Sequence, residues 1–295
     1  FVASDVLARR PVTDRFLILE EGDLAEVGAD EVAVEDGTGA AAHRTSTVVE
    51  MAAEDADRGH YRHHMQKEIF EQPQVARATL DGRIGRSRVL EEAFGIAAGP
   101  IFDKTHAVTI VACGTSFYAG SIARYWIEEL AGIPCQVEIA SEFRYRTVVP
   151  LPGSLFVTLS QSGETADTLA ALEKAKTLGY VGTLTFCNVP TSSIVRESDV
   201  ALMLEAGAEI GVASTKAFTA QLVDLLLLAV LLGRRRGVLD PESEAGLVAD
   251  LWRLPGLIGD VLRLDEEIAI LSERFVEKHH ALFLGRGPQY PVALE

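Results

Sequence analysis

The chain has 295 residues, 48% of them hydrophobic and 24% charged, and a formal net charge of −16. This length suggests about two domains with ample core. A surface this acidic argues against sequence-independent nucleic-acid binding and against docking on anionic membranes. Residues 1–60 hold 14 acidic and 5 basic residues, so over half of the excess sits in the first fifth of the chain. In the remainder an anionic ligand has to be held by local dipoles and neutral donors.

Residues 1 to about 50 read as β-rich. Phe16–Glu20 and Glu31–Glu35 are strand candidates, and the turn-forming triplets 21–23 and 28–30 lie between them. The alternation in Glu31–Glu35 predicts one wet face. Residues 51–60 are polar and acidic and read as a linker. A helix is expected over Tyr61–Glu71, closed by Pro73.

From about residue 88 strands and helices alternate. Strands are expected at Ala107–Ala112, Gln136–Ile139, Leu155–Leu159, Val181–Phe186 and Asp199–Met203. Helices are expected at Ser116–Leu130, Thr165–Leu178 and Ser214–Leu232. Strands that are apolar throughout, separated by helices, predict an α/β fold with a parallel sheet covered on both faces. The apolar run Ala217–Leu232 is short for a membrane span and contains Gln221 and Asp224, so it reads as a buried core helix. Residues 242–278 read as connecting helices. His280–Leu284 then reads as a new strand, followed by a glycine turn and a helix from Gln289. That order repeats the pattern around Thr109–Ser116, as if a second α/β domain begins. The first residue is not Met and both ends read as mid-domain sequence, so a piece of a longer protein is expected.

Three loops carry the chemistry. Ser160-Gln161-Ser162-Gly163-Glu164-Thr165 follows an apolar strand and opens a helix. Helix starts leave backbone N–H groups unpaired and partly positive, which suits a phosphate. Three hydroxyls and the Gln161 amide add neutral donors, and Gly163 allows a tight turn. The same residues also make an ordinary capped helix start, and the hexapeptide alone does not separate the two readings. It is neither a Walker A loop nor a dinucleotide fingerprint, so neither ATP nor NAD is expected. Cys113-Gly114-Thr115-Ser116 ends another strand, where ligands of open parallel sheets bind. Glu209–Lys216 precedes the long helix with a similar glycine-plus-hydroxyl character. There Lys216 reads equally as an anion partner or a solvated cap, and Glu209 reads as a solvated or backbone-capping carboxylate rather than a general base.

The three cysteines, Cys113, Cys135 and Cys187, fit neither a redox pair nor a zinc site, and so sparse a count suits a reducing cytoplasm. His63-His64 and His279-His280 complete no metal set, since adjacent residues do not share a helix face. No metal is expected.

Taken together, Ala112–Ser116, the Ser160–Thr165 hexapeptide and Glu209–Phe218 resemble the first sugar isomerase (SIS) domain of the glutamine–fructose-6-phosphate aminotransferase family. Tyr61–Pro73 resembles that family's interdomain segment. Residues 11–13 with 16–23 resemble the end of its glutaminase domain, and Leu284–Glu295 the opening of its second SIS domain. The resemblance implies a three-layer parallel-sheet SIS domain preceded by a β-rich remnant of an N-terminal-nucleophile glutaminase. It divides the chain into glutaminase tail (1–50), linker and helix (51–87), first SIS domain (88–235), and connecting helices with the start of a second SIS domain (236–295).

By matching motifs, the resemblance implies that Ser116, Ser160, Gln161, Ser162 and Thr165 hold a sugar phosphate while Thr115, Val212 and Ser214 face the sugar. It implies fructose 6-phosphate and glutamine as substrates, no cofactor, a homodimer and a cytoplasmic location. Phe1 does not match the family's nucleophilic cysteine, and the family's acid, base and Schiff-base residues lie later than Glu295. No catalytic residue is therefore expected within this chain. A non-catalytic SIS module and a stand-alone sugar-phosphate isomerase or deglycase are the alternatives.

Overall fold

The computed structural model describes residues 2, 13–20, 22–29, 31–48 and 57–295. The chain separates into two units, residues 1–57 and 58–295. Most of the expected linker, residues 51–56, lies outside the described residues.

The first unit contains two antiparallel strand pairs. β1 (Arg15–Leu17) pairs with β4 (Ser46–Val48), and β2 (Leu24–Val27) with β3 (Val32–Glu35). The strand expected at Phe16–Glu20 is shorter and starts one residue earlier. β2 and β4 were not anticipated, because each is only three or four residues long and shows no sustained alternation. On β3, Val34 is buried while Val32 is about half exposed, so the expected alternation leaves a single buried side chain. A two-point ion pair supplements this small core: Arg44 donates through Nε and Nη2 to Asp23 at 2.8 Å each. That guanidinium holds the Asp23 carboxyl down to about 2.

The second unit is built on a five-stranded sheet. β5 (Ala107–Ala112), β6 (Cys135–Ile139), β7 (Ser154–Ser160), β8 (Gly182–Cys187) and β9 (Val200–Met203) lie in the order β6-β5-β7-β8-β9, all parallel. All five expected strands are present to within a residue or two. β5 and β7 are buried along their whole length, as strands covered on both faces must be. One face packs on α3 (Gly114–Trp126), α7 (Lys216–Arg235), α1 (His64–Leu80) and α8 (Pro241–Leu262). The other packs on α4 (Ala140–Tyr145), α5 (Ala166–Lys176) and α6 (Ser193–Glu197). Side chains alternate along β7: Leu155, Val157 and Leu159 join the first core, and Phe156 the second.

α7 is long and apolar enough to cross a membrane by composition, but 78% of its apolar window is buried inside the protein. It is a core helix. Its one acid, Asp224, is fully buried and accepts from Arg83 Nη1 at 2.5 Å. Burial pushes the Asp224 carboxyl up to about 7, against the opposing pull of Arg83. Arg83 also donates to the Met203 carbonyl, which fastens the end of β9 to the helical layer.

Two expectations are corrected. The helix expected to stop at Pro73 runs on to Leu80. Proline removes the N–H that would reach the Ile69 carbonyl, but Gln72 Nε2 donates to that oxygen at 2.9 Å. The turns beyond then bury Val75, Ala76, Thr79 and Leu80. His280–Leu284 is not a strand, and Leu282, Phe283 and Leu284 are largely exposed. A strand needs a neighbour for its backbone groups, and this segment pairs with none among the described residues. The helix after it does form, at Gln289–Leu294.

Candidate functional site

In sheet order, β5 and β7 are adjacent although β6 lies between them in sequence. The chain therefore leaves β5 to one side and returns on the other. Ligands of open α/β sheets bind at the carboxyl ends of strands where the order reverses in this way. A cleft of about 300 Å³ opens at this point. It is lined by Cys113, Gly114, Thr115 and Ser116 after β5, by Leu159–Ser162, Thr165 and Thr168 around the end of β7, and by Val212 and Ser214 before α7. All eight residues singled out from sequence line this one cleft. No lining residue carries a charge, so an anion there would meet backbone dipoles and neutral donors.

The Ser160–Thr165 turn is shaped from within. Ser160 is buried, and its Oγ accepts from the Gly163 N–H at 2.8 Å, which leaves the Ser160 proton to donate elsewhere. Gly163 has φ +69°, and a Cβ there would lie 2.2 Å from Ser192 Oγ and 2.7 Å from Cys187 Sγ. Ser162 Oγ accepts from the Glu164 N–H at 3.3 Å. Glu164 itself turns away and accepts from the Ser193 N–H at 2.7 Å, which caps α6. Thr165 is the N-cap residue of α5, yet its side chain makes no capping bond. A role limited to capping would engage that hydroxyl.

The β5 loop and the α7 loop contribute differently. Ser116 Oγ accepts from Gln221 Nε2 at 2.9 Å, so the Ser116 proton is free to point into the cleft. Thr115 Oγ1 donates to Glu295 Oε1 at 2.5 Å. Ser214 Oγ donates to Glu209 Oε2 at 2.9 Å, which leaves its lone pairs for a ligand hydroxyl. Val212 is fully exposed and offers an apolar edge.

Glu209 is a capping carboxylate, since it also accepts from the N–H groups of Thr215 at 2.9 Å and Ala217 at 3.1 Å. Lys216 is not a solvated cap, and the anion it meets is a carboxylate of the protein itself. It is only 4% exposed and pairs with Glu71 Oε2 at 2.7 Å.

Sequence reasoning missed Gln221 and Thr168. An isolated glutamine in an apolar helix was the available signal, because a buried amide needs a partner. Cys113 lines the cleft half-buried, whereas Cys135 and Cys187 are buried. Burial raises the thiol pKa of both buried cysteines and keeps them unreactive. Among the described residues no cluster of three His, Cys, Asp or Glu could hold a metal ion.

The SIS domain family matches residues 101–231, from α2 (Ala98–Asp103) to near the end of α7. The whole chain is 58% identical to a glutamine–fructose-6-phosphate aminotransferase (isomerizing) of Pseudomonas putida and covers 48% of it. It is 54% identical to the enzyme of the same name from Vibrio cholerae, again over 48% of that protein. The chain thus spans about half the length of the curated relatives it matches. Among solved structures, the C-terminal domain of glucosamine-fructose-6-phosphate aminotransferase from Francisella tularensis is 49% identical with a TM-score of 0.80. That match covers 81% of this chain and 67% of the other. Glucosamine-6-phosphate deaminase from Thermotoga maritima, at 21% identity and TM-score 0.56, covers 79% of this chain and 64% of its own, and shares the fold. With that sequence identity carried on a matching parallel-sheet SIS fold, this chain belongs to the glutamine–fructose-6-phosphate aminotransferase family.

Proposed function

We propose that the chain is the sugar-phosphate-binding part of an enzyme that transfers the amide nitrogen of glutamine to fructose 6-phosphate, giving glucosamine 6-phosphate. The observation that carries this is the uncharged cleft at the sheet's reversal point, where the α5 start and two hydroxyl loops converge. In this reading the phosphate sits at the N-terminus of α5. It takes hydrogen bonds from the first-turn amides, from Ser162 and Thr165, and from the free protons of Ser160 and Ser116. Gln161 closes one side. The sugar runs toward Thr115, Val212 and Ser214, where the Ser214 lone pairs receive a sugar hydroxyl.

The cleft holds neutral donors and acceptors and no carboxylate, imidazole or amine, so in this reading it binds and orients and does not move protons. Residues 1–50 are proposed as the tail of a glutaminase domain, 51–87 as linker and helix, 88–235 as the first SIS domain and 236–295 as the lead into a second. The active assembly is proposed to be a cytoplasmic homodimer.

The test is a titration of the 295-residue chain with fructose 6-phosphate, followed by amide resonances. Shifts should centre on residues 160–168 and 113–116, with weak affinity and no glucosamine 6-phosphate formed when glutamine is added. A response elsewhere, or none, would remove the site assignment. Product formation would refute the division between a binding part and a catalytic part.

A further inference from the structure

Three polar residues on one face of α1 reach the segment that forms the Val212–Ser214 side of the cleft. They are Glu68, Glu71 and Gln72, at the i, i+3, i+4 spacing that shares a helix face. Glu71 takes the Lys216 ammonium. Gln72 Oε1 accepts from Thr219 Oγ1 at 2.6 Å. Glu68 goes furthest into the loop itself. It is 3% exposed, and its Oε1 accepts from the N–H groups of Ile210 at 2.6 Å and Gly211 at 2.9 Å. Its Oε2 lies 3.2 Å from the Gly211 nitrogen. A Cβ at Gly211 would stand 2.4 Å from Glu68 Oε2, so a larger residue there would displace the carboxylate from the loop.

We infer that Glu68 is a positioning residue for sugar recognition, a role that rests on the sugar-phosphate reading of the cleft. It touches no cleft atom itself. It fixes the two amides immediately before Val212, and so sets where Val212 and Ser214 stand. The Ser160–Thr165 turn is built from its own residues together with β8 and α6, and it does not depend on Glu68. Losing Glu68 therefore frees the sugar-facing wall and leaves the phosphate grip intact.

The experiment compares Glu68→Leu and Glu68→Gln with the parent chain, using fructose 6-phosphate and inorganic phosphate as separate probes. Glu68→Leu should weaken fructose 6-phosphate binding roughly tenfold and leave inorganic phosphate binding within about twofold. Glu68→Gln keeps an acceptor at the Oε1 position and should restore most of the lost affinity. Gly211→Ala attacks the same contact from the loop side, keeps the Glu68 side chain, and should show the same split between the two probes.

Equal weakening for both probes, or for neither, overturns the inference. If the parent chain binds neither probe, the sugar-phosphate reading fails on its own. The clamp is then judged by hydrogen exchange of the Ile210 and Gly211 amides. Faster exchange in Glu68→Leu, restored in Glu68→Gln, sustains it, and unchanged exchange overturns it.

Discussion

The helix starts of α5 and α7 look alike in sequence, each with a glycine and several hydroxyls, yet the structure uses them in opposite ways. At α7 the chain fills the helix N-terminus with its own carboxylate: Glu209 accepts from the Thr215 and Ala217 amides and from Ser214 Oγ. At α5 the two nearby carboxylates are committed elsewhere, Glu164 to the start of α6 and Asp167 to Arg144, and the Thr165 hydroxyl makes no capping bond. A helix N-terminus attracts one anion. The α7 start already has an internal one, and the α5 start is left for a ligand. In the proposed reading the difference separates a wall that shapes the cleft from a floor that would grip the phosphate.

The floor depends on steric room, and Gly163→Ala should break the comparison most severely. The new methyl group would meet Ser192 Oγ at 2.2 Å and Cys187 Sγ at 2.7 Å, at a φ of +69° that alanine resists. Strain and overpacking together should cost about 3 kcal/mol or more. Thermal unfolding should show a fall of many degrees, and fructose 6-phosphate binding should be lost. A variant with parental stability and affinity would mean that the turn is not held by this contact.

Replacing Ser162 and Thr165 together by alanine tests the grip without disturbing the frame. Neither hydroxyl supports the turn strongly, since Ser162 accepts one bond of 3.3 Å and Thr165 makes no capping bond. Each would donate a charge-assisted bond to a phosphate, worth roughly 1.5–3 kcal/mol. Affinity measured by calorimetry should fall more than tenfold with little change in melting temperature. Unchanged affinity would remove the phosphate from the α5 start. A large loss of stability would show that the hydroxyls serve the fold.

Much of the second unit was legible because its signals are local. Apolar runs such as Ala107–Ala112 and Leu155–Leu159 announce strands buried on both faces, and glycine-hydroxyl loops at their carboxyl ends announce a cleft. Partner choice was not legible. Lys216 could be assigned only by knowing that α1 places Glu71 beside it, 145 residues away in sequence. Pro73 read as a stop because the compensating Gln72 bond depends on a rotamer. The segment at His280–Leu284 has strand composition, but pairing is a property of neighbours and not of composition. In the first unit, strands of three and four residues with one buried side chain carry too little pattern for periodicity to register.

Glu209→Ala should have the smallest effect and sharpens the contrast between the two helix starts. Removing the carboxylate strips the acceptor from two amides and the Ser214 hydroxyl, a loss comparable to deleting an N-cap, about 1–2 kcal/mol. Thr215 offers no capping bond in its place. The rest of α7 is anchored by its buried apolar side chains and by Arg83 on Asp224, so melting temperature should drop by only a few degrees. Fructose 6-phosphate affinity should fall less than in the Ser162/Thr165 double variant, because Ser214 is loosened and no phosphate donor is removed. Glu209→Gln keeps an oxygen for the two amides and should lie between parent and alanine. The emptied α7 start should now attract an anion: inorganic phosphate should perturb the Thr215 and Ala217 amides in Glu209→Ala and leave them unmoved in the parent. If the parent amides already respond to phosphate, the two helix starts are not different in kind, and the division into wall and floor fails.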